Sequence, residues 1–209
     1  MYQNYIFDFN GTLLDDVKVC HDILVILCKE YHVKEVTLQE YIEVFTFPVK
    51  EYYRKIGFDV EKDFADIGRK FHDLYDKRSY TEASLYKNVI PVLKKLKEDN
   101  KKIICLSASK KETLDKQLKY FGIYDYFNTT LGLDNKDATS KLEIAKNFIR
   151  NIKPKDTLLV GDSLHDYEVA CSLGVDCVLL TGGHTDTKRL KEQDCLVLND
   201  IIDILNVRK

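Results

Sequence analysis

Five short apolar runs rich in β-formers, at residues 3–9, 102–107, 157–161, 176–181 and 195–198, each adjoin a longer stretch with helical spacing. This alternation constrains the fold more than any other feature of the chain. Strands alternating with helices of this length imply βαβ units and a parallel sheet buried on both faces. The helical stretches carry their own punctuation. SKKETLDKQLKYFG (109–122) offers Ser109 as an N-cap, Glu112 three residues on and a closing Gly122. SKLEIAKNFIR (140–150) repeats the Ser-x-x-Glu pattern, and SLHDYEVACSLG (163–174) runs from Ser163 to Gly174.

Residues 15–85 have a different texture. DDVKVCHDILVILCKEYHV, TLQEYIEVF, VKEYYRKIGF and FADIGRKFHDLYDKR all read as helices, with no strong strand between them. A helical block inserted after the first strand reads as a cap domain. Its boundary falls near Tyr86–Pro91, where Pro91 suits the first turn of the next helix. The expectation is a two-domain α/β protein. Its Rossmann-like parallel-sheet core, with helices on both faces, takes residues 1–14 and 86–209, and the helical cap takes 15–85.

The 209 residues suffice for such a core plus a small second domain. The 32 basic and 34 acidic side chains leave a net charge of −2, which argues against a general nucleic-acid binder. No apolar run approaches the ~20 residues of a membrane span. The N-terminal MYQNYIFDF lacks the basic start and long apolar segment of a secretory signal. The cysteines are scattered without a C-x-x-C pair, and Cys105, Cys177 and Cys195 read as small buried hydrophobes. A reducing cytoplasm follows, with no membrane or nucleic-acid partner and a monomer or homodimer as the assembly.

YIFDFNGTLLDD (5–16) poses a choice. Asn-Gly between apolar runs is a strong hairpin signal. A buried strand ending in an acid, followed by a flexible loop, is also how a parallel sheet delivers a carboxylate to a site. The hairpin needs a second strand directly after Gly11, and Leu13-Leu14 lead instead to Asp15, Asp16 and a long amphipathic pattern. The buried strand is preferred. Asp8 then stands at its carboxyl end, where ligands bind in open α/β sheets. Ser107 ends KIICLS with Ala108 just behind it, Lys141 opens the helix at 140–150, and Asp162 and Asp166 follow the strand LLVG.

DFNGT (8–12), LSAS (106–109), Ser140-Lys141 and GDSLHD (161–166) in this order resemble the four motifs of the haloacid dehalogenase superfamily of aspartyl-phosphate-forming hydrolases. The helical insertion is similar to that of its helical-cap phosphatase branch, which includes phosphoglycolate phosphatases. The resemblance implies Asp8 as nucleophile and Mg2+ as cofactor, held by the carboxylates of Asp8 and Asp162 and the main-chain carbonyl of Asn10. It implies that Asp166 holds a metal-bound water or Lys141, and that Lys141 neutralises Asp8 and the phosphate. Ser107, with Gly11, Thr12 and the backbone of Ala108, would cradle the phosphoryl oxygens. Lys136 competes for the lysine role, but it lacks the cap signal that precedes Lys141. The implied substrate is a small phosphorylated metabolite such as phosphoglycolate.

Asn10 departs from that pattern, because phosphatases of the family carry an Asp there that protonates the leaving alkoxide. An amide does not exchange protons in this way, and general acid–base catalysis contributes about 10²–10⁴-fold. Three explanations stay open. The substrate has a good leaving group, or His165, Asp15 or Asp16 substitutes as the acid. The chemistry is a related transfer or C–X cleavage, and for the phosphonate-cleaving kind Lys50 or Lys55 would form a Schiff base. Or catalysis is lost, and the protein binds phosphometabolites or a protein partner. Arg54 could clamp an anionic substrate, although a solvated helix face is the preferred reading. Tyr41, Tyr52, Tyr53, Tyr75 and Tyr80 read as packing residues with a wet hydroxyl. His21, His32, His72 and His184 show no metal-ligand spacing and read as surface or packing residues.

Overall fold

The computed structural model describes residues 2–133, 140–150 and 152–209. The chain enters through β1 (Asn4–Phe7) and the two-residue β2 (Leu14–Asp15), then runs through α1 (Val17–Glu30), α2 (Leu38–Val44), α3 (Val49–Ile56) and α4 (Phe64–Glu82). β3 (Ser84–Leu85), α5 (Val89–Glu98), β4 (Lys102–Lys110), α6 (Lys111–Tyr120) and β5 (Thr129–Leu133) follow. The remainder is α7 (Lys141–Ile149), β6 (Thr157–Gly161), α8 (Leu164–Leu173), β7 (Asp176–Leu180), α9 (Thr187–Lys191) and β8 (Leu196–Leu198).

Six strands form a sheet in the order β5-β4-β1-β6-β7-β8, with every ladder parallel. Successive side chains of a strand point to opposite faces, so a strand covered on both sides must be apolar throughout. In β1, Tyr5 and Phe7 join Val92 and Leu96 of α5 and Leu114 and Leu118 of α6 on one face. Ile6 joins Ala145 of α7 and Val169 and Ala170 of α8 on the other. Phe7 is fully buried, and its loss to Ala would cost about 3–5 kcal/mol. β1 is central. The chain leaves it first for β4 and later for β6 on its other side, which makes its carboxyl end the switch point of the sheet.

The four helices between β2 and β3 have an apolar cluster of their own, built on Ile23, Leu24 and Leu27 of α1, Tyr41, Tyr52, Tyr53 and Ile67. β2 and β3 pair antiparallel, Leu14 with Leu85 and Asp15 with Ser84, where the chain enters and leaves this block. The Asn-Gly turn therefore does not fold β2 back onto β1. Gly11 takes a positive φ of 74°. The amides of Leu13 and Leu14 both reach the Phe9 carbonyl at 2.9 Å, which winds 9–14 into a tight loop.

Three expectations are corrected. β5 was not foreseen, because NTTLGL is polar at its start and carries a glycine, as an edge strand tolerates. Ser109 is not a helix cap: β4 continues to Lys110 through a register shift after Leu106, and α6 begins at Lys111. Cys177 and Cys195 are half-buried rather than buried, whereas Cys105 is buried. Lys136 lies outside the described residues. Among those described, no helix is long and apolar enough to cross a membrane.

Candidate active site

The carboxyl ends of β1 and β6 and the first turns of α7 and α8 meet at one point. Ser140 accepts a 3.2 Å bond from the Glu143 amide and so starts α7 at Lys141. Ser163 starts α8 in a reciprocal capping box with Asp166. Asp166 Oδ2 accepts from the Ser163 amide at 3.0 Å, the Ser163 hydroxyl at 2.6 Å and the Asp162 amide at 3.2 Å. Its other oxygen, Oδ1, takes a 2.6 Å bond from Lys141 Nζ. The same lysine also donates to Asp8 Oδ1. Of the two roles foreseen for Asp166, the structure displays the holding of Lys141.

Asp162 is fixed from both sides. Thr12 Oγ1 donates to its Oδ1 at 2.7 Å, and the His184 amide donates to its Oδ2 at 2.8 Å. Oxygens of Asp8, Asp162 and Asp166 lie within 4.8 Å of one another, and all three residues are buried. Glycine makes this convergence possible. A Cβ on Gly11 would stand 2.4 Å from Asp162 Oδ2, and one on Gly161 would stand 2.3 Å from the Asp166 carboxyl carbon.

Two of the three carboxylates, Asp8 and Asp166, share Lys141, and the proton affinities reflect this crowding. Burial pushes Asp8 up to about 8, opposed by Lys141 and reinforced by Asp166 and Asp162. Burial likewise raises Asp162 to about 6, against the pull of His184. Burial would raise Asp166 too, but Lys141 and Ser163 outweigh it and hold it below the usual carboxylate range. Burial works against the charge of Lys141, yet Asp166 and Asp8 keep it well above its ordinary value. A cluster of oxygen donors with surplus negative charge suits a hard divalent cation.

Asp8, Asn10, Ser107, Ala108, Lys141 and Asp162 line one cavity of about 300 Å3. Ser107 Oγ accepts the Ser109 amide at 3.0 Å. Gly11 and Thr12, expected at the phosphate, do not line it. The Gly11 amide is turned to Asp16 (3.0 Å) and to the Leu14 carbonyl (2.9 Å), and the Thr12 hydroxyl is spent on Asp162. Their part is to brace the acids.

The Asn10 amide sits in a network the sequence did not reveal. Its Nδ2 donates to Asp16 Oδ2 at 2.8 Å and to the Tyr75 hydroxyl at 2.7 Å, and Tyr75 in turn donates to Asp16 at 2.6 Å. His184 Nε2 stands 3.1 Å from Asp16 Oδ1, and its Nδ1 meets the Tyr41 hydroxyl at 2.7 Å. Burial disfavours both charges, but the pair sustains itself. Asp16 is held below its usual range, and His184 is raised to about 9. His184 is thus a site residue rather than a packing or surface one. Its position just past β7 was the available signal, since it too follows a strand's carboxyl end. Asp16 is an acceptor here and not the substitute acid. Asp15 is exposed and does not line the cavity.

The far wall of the cavity comes from the helical block. It includes Phe45, Phe47, Val49, Phe64 and Phe71. Phe71 stacks on Tyr75 with centroids 5.9 Å apart, and Phe45 stacks on His184 at 5.1 Å. Lys50, Arg54 and Lys55 are not among the lining residues. Lys50 bonds Glu61 at 3.0 Å, and Arg54 bonds Glu61 at 2.7 Å and Glu51, on the solvent side of α3.

Comparison with known proteins agrees with this arrangement. A family model described as haloacid dehalogenase-like hydrolase matches residues 5–180. The chain is 25% identical over 214 residues to a pyrophosphatase PpaX from Halalkalibacterium halodurans, covering 97% of this chain and 96% of that one. It is 26% identical over 199 residues to a phosphoglycolate phosphatase from Psychrobacter arcticus, covering 87% and 84%. A haloacid dehalogenase-like family protein from Streptococcus pneumoniae shares the fold with a TM-score of 0.85 at 16% identity, over 98% of this chain and 97% of that one. With a family model spanning most of its length and the same fold throughout, the chain belongs to the haloacid dehalogenase-like hydrolases.

Proposed function

We propose that the protein hydrolyses a small phosphate ester in a Mg2+-dependent reaction, through a phosphoryl group carried on Asp8. The observation that carries this reading is the convergence of Asp8 with Lys141, Asp162 and Asp166, the first three of which line a cavity. In the first step an Asp8 oxygen bonds to phosphorus as the ester P–O bond breaks and the leaving oxygen departs with the electron pair. In the second, water attacks phosphorus, and phosphate leaves Asp8 as a free carboxylate. Lys141, protonated by virtue of its two carboxylate partners, offsets charge on Asp8 and the transferring group. Mg2+, held by Asp8, Asp162 and the main-chain oxygen of Asn10, would supply the remaining positive charge. Asp166 positions Lys141.

Residues 15–85 act as the cap in this proposal and residues 1–14 with 86–209 as the core. The separate apolar cluster of the helical block supports the division, as does the β2–β3 pair at the two crossings. Six free cysteines support a reducing, cytoplasmic setting. The names of the relatives support a phosphorylated small molecule as substrate. The test is a phosphate-release screen with and without Mg2+ over sugar phosphates, nucleotides, phosphoglycolate and phosphonates, beside Asp8→Ala. Metal-dependent release that vanishes in Asp8→Ala is expected. Release that survives in Asp8→Ala, or its absence throughout, would overturn the proposal.

A further inference from the structure

We propose that the substrate is an aryl phosphate, a monoester whose leaving group is a phenol, bound with its ring among the aromatic walls of the cavity and its phosphate at Asp8. This rests on the phosphatase reading above and narrows its substrate.

Two independent observations converge on it. The first is the absence of a carboxylic acid beside the leaving oxygen. Asn10 carries an amide where an acid would stand, and its neighbours are engaged. The Tyr75 hydroxyl donates to Asp16. Asp16 accepts from Gly11, Asn10 and Tyr75. Both ring nitrogens of His184 face partners, Asp16 and Tyr41. His165 is also on the wall, but its Nδ1 lies 3.3 Å from Glu168 and its ring packs 4.8 Å from Phe47. An alkoxide leaves poorly without a proton. A phenol ionises near pH 10, as tyrosine does, so a phenoxide departs as a stable anion.

The second observation is the chemistry of the wall that the helical block contributes. The helical block presents Phe45, Phe47, Val49, Phe64 and Phe71, and no lysine or arginine of that block lines the cavity. Among the described residues the lysine that does line it, Lys141, is bound to Asp8 and Asp166. His72 is exposed and meets Phe71 edge-on at 5.9 Å. A substrate with a second anionic end, such as a carboxylate or another phosphate, would desolvate that charge against rings whose cationic neighbour, His184, is already paired with Asp16. A flat aromatic leaving group instead finds stacked and edge-to-face neighbours. The volume of about 300 Å3 sits at the small end of the usual ligand-pocket range, roughly 300–1,000 Å3.

The step balances without a general acid. The bond between Asp8 and phosphorus forms, the aryl oxygen–phosphorus bond breaks, and the phenoxide takes its proton from solvent. Water then releases phosphate. The sum is aryl phosphate plus water giving phenol plus phosphate.

The experiment compares Asp8-dependent turnover of phenyl phosphate, phosphoglycolate, pyrophosphate and acetyl phosphate. Acetyl phosphate departs readily but brings no ring. Phenyl phosphate should exceed phosphoglycolate in kcat/KM by about 10²-fold or more, the scale of a missing general acid for an alkoxide, and should exceed pyrophosphate, whose second phosphate meets the aromatic wall. Across ring-substituted phenyl phosphates, kcat should fall steeply as the phenol becomes more basic, and Asn10→Asp should flatten that slope. Phe71→Ala and, on the loop between α2 and α3, Phe47→Ala should lower the ratio of phenyl to acetyl phosphate kcat/KM. Asp8-dependent turnover of phosphoglycolate or pyrophosphate that equals or exceeds that of phenyl phosphate would overturn the aryl assignment and leave the phosphatase reading intact. So would a ratio untouched by both Phe variants. No Asp8-dependent release from any of the four would remove both.

Discussion

The side-chain amide of Asn10 donates a 2.8 Å hydrogen bond to the buried carboxylate of Asp16. The residue in the proton donor's position is thus locked in place by a neighbour that needs a donor.

Replacing Asn10 with Asp sets a second carboxylate against Asp16. Like charges at that distance raise the proton affinity of the pair, so the new acid is raised in the fold above its unfolded value of about 3.9. A raised group gives stability that is present below the unfolded value and is lost as pH climbs through the folded one. Asn10→Asp should therefore be less stable than the parent by about 1–3 kcal/mol near pH 8, and the gap should close toward pH 4. Denaturant unfolding across this range checks it, and a gap independent of pH would contradict it.

Metal-free protein should lose stability as pH rises from Asp8's unfolded value of 3.8 through its folded value of about 8, because deprotonation leaves a buried charge with too little compensation. Mg2+ at about 100 times its dissociation constant should restore about 2.7 kcal/mol at pH 8. Asp8→Asn should be more stable than the parent in chelator and gain little from Mg2+. Thermal unfolding in chelator and in Mg2+ reads both effects, and an equal gain in the two proteins would contradict the assignment.

Gly11 and Gly122 separate strain from collision. Both have positive φ, 74° and 71°. A Cβ at Gly122 meets nothing within 4 Å, whereas at Gly11 it meets Asp162 at 2.4 Å and the His184 ring at 2.6 Å. Gly122→Ala should cost about 1–2 kcal/mol and keep phosphate release. Gly11→Ala should cost more and reduce phosphate release by at least about tenfold, equivalent to roughly 1.4 kcal/mol of barrier. Equal losses of activity in the two variants would contradict the cradle.

What was legible in the sequence is what the chain encodes locally. The apolar run before Asp8, the Ser163 start of the helix that holds Asp166 in its first turn, and the cap that precedes Lys141 each lie within a few residues. Their meeting follows from one topological rule about strand ends. The network of Asp16, Tyr75, Tyr41 and His184 draws on residues up to 168 positions apart, from Asp16 to His184. Each alone has the look of packing, and only the fold makes them neighbours. β5 escaped because an edge strand can be polar. Ser109 misled because a helix-capping pattern also fits a strand that overruns its expected end.

The His184–Asp16 pair makes a prediction of its own. His184 is raised from 6.5 to about 9, so its contribution is complete below pH 6.5 and lost as pH passes 9. His184→Gln should destabilise the protein by about 3 kcal/mol at pH 6, and the difference from the parent should shrink toward pH 9.5. Equilibrium unfolding of both proteins at the two pH values checks this, and a constant difference would exclude the ion pair.

The most direct test of the account is acid-quenched peptide mass analysis of the protein mixed with phenyl phosphate and Mg2+. An aspartyl phosphate at Asp8 predicts the mass of one phosphoryl group on the peptide bearing Asp8, labile to hydroxylamine, and its absence from Asp8→Asn. Phosphate release with no such adduct, retained in Asp8→Asn, would contradict it.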